Sequence, residues 1–91
     1  MKIKVTQEYI DNGKRRQGDS CPIALAISEQ VEEASFVSVG TCSAYYYDRA
    51  LNNHFIKLPD EAKSFVTKFD KGELVEPFEF ELVEDHSHYS Y

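Results

Sequence analysis

Lys14-Arg15-Arg16-Gln17-Gly18-Asp19-Ser20-Cys21-Pro22-Ile23-Ala24-Leu25-Ala26-Ile27 is the stretch whose reading decides the fold. Its second half announces a helix: Ser20 or Cys21 serves as N-cap, Pro22 suits the first helical position, and the apolar run continues toward Val31. The first turns are apolar on nearly every side, so this helix must be covered all round and is predicted to be the central core element. Its first half is a basic loop. Helix amides without partners point back toward Lys14, Arg15 and Arg16, and together with Ser20 and Cys21 they form a candidate anion-binding corner. The alternative is a solvated loop whose charges balance Asp11 and Asp19. The spacing is that of neither a P-loop nor a dinucleotide fingerprint.

Outward from this helix, local patterns predict the remaining elements. Met1 to Val5 alternates as a half-buried strand, and Thr6 opens a short helical turn from Gln7 to Asn12 that Gly13 stops. Phe36 to Asp48 is rich in Val, Tyr and Phe and reads as one strand or as two broken near Gly40. A turn over 48–53 leads to a returning strand from His54 to Leu58. Pro59-Asp60 then opens a helix whose Ala62, Phe65, Val66 and Phe69 form one apolar stripe, with Lys71-Gly72 as its stop. Pro77 to Val83 is the last strand, with Phe78, Phe80 and Leu82 inward and Glu79, Glu81 and Glu84 toward water.

The expected fold class is α+β, a small and mainly antiparallel sheet with two helices packed on one face, in the order β-α-α-β-β-α-β. Residues 1–84 are read as a single globular domain and 85–91 as a flexible C-terminal tail. Six Phe and six Tyr in 91 residues are enough to build a core. A chain this short also gains stability by dimerising, so a homodimer stays open.

The net charge of −6 argues against a nucleic-acid binder, which needs a basic face for phosphates. Half of the ten bases fall in the first sixteen residues, and Glu73 to Asp85 holds six acids and no base. Neither an apolar signal region nor a membrane-length apolar run is present, so a cytoplasmic protein is expected, with Cys21 and Cys42 as free thiols. No cofactor loop, no three-ligand metal pattern and no paired base and nucleophile can be read, and no enzymatic activity is expected. His86 and His88 stand two apart and make no metal site.

Two further features are candidate protein interfaces. Tyr45-Tyr46-Tyr47 cannot all face the core of a strand. If Tyr46 is inside, Tyr45 and Tyr47 lie outside, either as interface anchors or as cover for the sheet. Glu79 and Glu81, continued by Glu84 and Asp85, form an acidic strip that reads as part of a protein interface, as an imitation of a nucleic-acid backbone's charge, or as an edge strand kept soluble by charge.

KVTQEYIDNG (4–13), CPIALAI (21–27), LPDEAKSFVTKFDKG (58–72) and VEPFEFEL (75–82) together resemble a family of small, uncharacterised proteins encoded by bacteriophages and prophages. The resemblance extends from Met1 to Leu82, and the loop at Lys14 to Asp19, the tyrosine run and the His/Tyr tail depart from it. It implies a protein that acts stoichiometrically on a bacterial host protein, with a defence system such as CRISPR–Cas as a candidate target. It supplies no catalytic residues. The other functional expectation is capture of a phosphorylated or nucleotide signal at the basic corner.

Overall fold

The computed structural model describes residues 2–84; the expected C-terminal tail, 85–91, lies outside the described residues. Strand β1 (Lys2–Val5) leads through helix α1 (Gln7–Asn12) and the basic loop into helix α2 (Pro22–Gln30). Strands β2 (Phe36–Val39), β3 (Ser43–Tyr47) and β4 (Asn53–Lys57), helix α3 (Asp60–Asp70) and strand β5 (Phe78–Glu81) follow. This is the α+β order expected, with the Phe36–Asp48 region resolved into two strands around Gly40.

The strands form two antiparallel ladders, β2-β3-β4 and β1-β5. Past β5, Glu84 makes an antiparallel bridge with Ile56, and the Lys57 N–H donates to the Val83 carbonyl at 3.0 Å. This short seam joins the ladders edge to edge where one sheet was expected.

The Cys21 sulfur caps α2, accepting from the Ala24 N–H at 3.5 Å, and Pro22 follows it at the helix start. Ile23, Ala24, Ala26 and Ile27 are wholly buried, as the all-round apolar pattern requires. They pack among Ile3 and Val5 of β1, Val37 and Val39 of β2, and the α3 stripe of Ala62, Phe65, Val66 and Phe69. Helix α3 ends as predicted. Gly72 sits at φ 79°, and the Gly72 and Glu73 amides donate to the Phe69 and Lys68 carbonyls at 3.0 and 2.9 Å.

The β3–β4 turn places Leu51 at φ 66°, 78% exposed. Hairpin turns usually give such a position to Gly or Asn, because a Cβ there crowds the carbonyl that follows. Leu51→Gly is therefore expected to raise stability by roughly 1 kcal/mol. Ile23→Ala, which opens a cavity at the centre of the core, is expected to cost about 2–5 kcal/mol. Urea unfolding checks both through the midpoint at unchanged slope.

Candidate functional site

Alternation along β2, β3 and β4 sends Val37, Val39, Ala44, Tyr46 and Ile56 to the helix side, where all are buried. The other side carries Phe36, Ser38, Tyr45, Tyr47 and Phe55. Register sets Phe36 opposite Tyr47 and Tyr45 opposite Phe55. The rings meet: Phe36 to Tyr45 at 6.3 Å, Phe36 to Tyr47 at 6.2 Å, Tyr45 to Tyr47 edge-on at 5.8 Å, and Tyr45 to Phe55 at 6.4 Å. No described helix covers this face. Phe36 is 46% exposed and both tyrosines are half-buried, so the rings lean on each other and keep an edge toward solvent.

Glu79 and Glu81 extend the same side. Leu82 packs against the core and Val83 is exposed, so the alternation carries Glu79, Glu81 and Val83 to the side of Lys57 and Phe55. The acidic strip is partly matched within the protein. Register puts Glu79 opposite Lys4 and Glu81 opposite Lys2, and the Lys2 ammonium lies 3.7 Å from the Glu79 carboxylate.

The basic loop is folded tightly onto the domain. The Lys14 N–H donates to the Ser20 carbonyl and the Val39 N–H to the Gly18 carbonyl, both at 2.8 Å, so the loop lies along the outer edge of β2. A Cβ on Gly18 would stand 2.8 Å from the Val39 carbonyl oxygen, which is why only glycine fits there. Arg16, at φ 60°, donates its N–H to the Asp70 carboxylate at 2.9 Å. The Arg15 guanidinium lies against Gly72 at the negative end of α3. The Ser20 hydroxyl has the Asp19 carboxylate at 3.4 Å. Cys21 is 5% exposed, and burial pushes its thiol above the ordinary value, with Asp70 adding to the rise against the lowering hydrogen bond from Ala24. Of the expected anion corner, the Arg16 amide and Cys21 thus lie beside the carboxylate of Asp70, a residue that sequence neighbours gave no reason to place there, while Arg15 lies at Gly72.

A third constellation was not read from sequence. The His54 Nε2 lies 2.9 Å from the Asp48 carboxylate and its Nδ1 2.5 Å from that of Glu84. An ionised carboxylate can only accept, so two carboxylates at the two ring nitrogens favour the imidazolium, the form of His54 that donates from both. The hydrogen bond to Asp48 raises its pKa most, burial opposes, and Glu84 raises it further. Asp48 also accepts the Ala50 and Asn52 amides at 2.9 and 3.0 Å, and the His54 hydrogen bond followed by these holds its carboxyl down at about 2. The Tyr46 ring stacks on the imidazole at 4.6 Å, and its hydroxyl donates to Glu33 at 3.2 Å. Burial, then the charges of Glu84 and Glu33, push the phenol up to about 12. In its protonated form the His54 ring has no lone pair to act as a general base. The signal was weak: one histidine in a strand, with its carboxylates six and thirty residues away.

Compared with known protein families, with curated proteins and with solved structures, the chain finds no match in any of the three.

Two outcomes follow from these environments. An aromatic disulfide reagent should modify Cys42, which is exposed, at once and Cys21 only on unfolding. A depressed carboxyl stabilises above its unfolded pKa and stops doing so as pH falls through its folded value. The stability gap between the protein and Asp48→Asn should therefore be full above the ordinary carboxyl value of 3.8 and shrink toward about 2, as read by urea unfolding at a series of pH values.

Proposed function

We propose that the protein acts stoichiometrically, binding another protein through the outer face of the β2-β3-β4 sheet. The contact between the rings of Phe36, Tyr45 and Tyr47 on the side away from the helices carries this reading. Aromatic rings already leaning on one another lose little side-chain freedom on binding, and they bury large areas while each tyrosine keeps a polar tip. Glu79, Glu81 and the facing Lys2 and Lys4 form a charged border that would select orientation more than affinity.

The partner class comes from the resemblance to phage-encoded proteins: a bacterial host protein, with a component of a defence system such as CRISPR–Cas as the candidate. On this reading the protein is a binder that inhibits or modulates, not an enzyme. Capture of a phosphorylated or nucleotide signal is the weaker reading, since Asp70 already brings a carboxylate to the basic corner and Cys21 is buried there.

Tagged protein and its Tyr45→Ala/Tyr47→Ala variant, incubated with lysate of a bacterial host, test the reading. The expected result is one host protein retained by the wild type, with its affinity for the variant reduced roughly tenfold or more. An equal thermal midpoint for the two proteins separates lost contact from lost fold. Equal retention of that partner by the variant would move the interface off this face.

A further inference from the structure

We propose that Asp48, His54 and Glu84 form a proton-operated latch on the seam between the two ladders: the imidazolium holds Glu84 against β4, and loss of its proton releases Glu84 while the ring stays on Asp48. The argument begins with the asymmetry of the two carboxylates. Asp48, in the β3–β4 turn, is fixed by the Ala50 and Asn52 amides and by the Asn52 side chain at 3.4 Å, in addition to His54. The side-chain contact shown for Glu84 is the one to His54. A neutral imidazole has one N–H, so it can serve only one of the two, and its other nitrogen then presents a lone pair to a carboxylate. The anchored partner keeps the proton and the less anchored one is repelled.

Release at Glu84 falls on the seam itself. The backbone of Glu84 bridges Ile56, and the preceding carbonyl, of Val83, accepts the Lys57 N–H. Among the described residues the strands on either side of this seam belong to separate ladders. The other groups facing the imidazole add to the effect. Tyr46 of β3 stacks on it as a neutral phenol, and Glu33, beyond α2, stands at the Tyr46 hydroxyl. Among the described residues, Asp48, Glu84 and Glu33 bring acids from three parts of the chain toward the ring, with Arg49 lining the same cavity as Glu33 and Asp48, and one proton on His54 offsets the repulsion among the acids. The sign follows from the raised pKa of His54: the latch is closed below the ordinary histidine value of 6.5 and opens as pH rises through the higher folded value.

Amide exchange of Lys57, taken relative to amides of the β1-β5 ladder, reads the seam across about pH 5 to about pH 9, with the His54 ring resonances followed in parallel. The expected result is a several-fold fall in relative Lys57 protection that tracks His54 deprotonation. His54→Gln should show low relative protection at every pH. Glu84→Gln keeps an acceptor carbonyl without the charge and should show protection independent of pH, so it decides the matter should His54→Gln fail to fold. A relative protection that stays level while His54 titrates, or a Glu84→Gln profile that still falls with it, would overturn the latch.

Discussion

Everything in this molecule is arranged around one constraint, the cover demanded by the opening turns of α2. Ile23, Ala24, Ala26 and Ile27 point in directions that no single flat partner can bury. The chain meets the demand by laying β1 and β2 against the helix from two different ladders and setting α1 and α3 around it. Each fully buried isoleucine contributes about 1.5–3 kcal/mol. Small residues at Ala24 and Ala26 let neighbouring elements approach. The two ladders follow from this: each supplies part of the wall, and among the described residues their backbones are bonded at the edge where Val83 and Glu84 meet β4.

That seam is where polar chemistry concentrates. Backbone pairing there is short, and side chains add to the connection through one imidazole set between two carboxyl groups. At 22% side-chain exposure, His54 is shielded enough for its partners to matter and wet enough to exchange a proton. The basic corner is tied down through its backbone. Arg16 in the left-handed region is held by Asp70 across the loop, and Arg15 covers the end of the helix that carries Asp70. Backbone amides, those of Lys14, Arg16 and Val39, fasten the loop along the β2 edge. The aromatic face differs from both. Its rings pack with one another, and the interior would be no less well filled without them, which is why it is the better place to look for a partner.

The secondary structure was legible because its determinants are local. Pro22 after a small N-cap, the i, i+3, i+4, i+7 stripe of α3, Gly72 after Lys71 and the alternation of Phe78 and Phe80 each act within one turn or one pleat. The outward direction of Tyr45 and Tyr47 was legible for the same reason, since burying Tyr46 settles its neighbours. The joining of Tyr45 and Tyr47 with Phe36 and Phe55 into one patch was not, because register between strands decides it.

The sequence by itself thus determined the class of fold, the helix ends, the inward residues of the first and last strands and the burial of the central helix, while Glu84, expected toward water, turns to His54. Tertiary structure alone decided which distant groups meet: Glu84 with His54, thirty residues apart, and Asp70 with the Arg16 amide, fifty-four apart. It also decided that the strands divide into two ladders. The reason is physical: helix and strand patterns repeat with the chain's own period, whereas a pairing between carboxylate and imidazole or amide leaves no periodic trace and exists only once the core has brought the elements together.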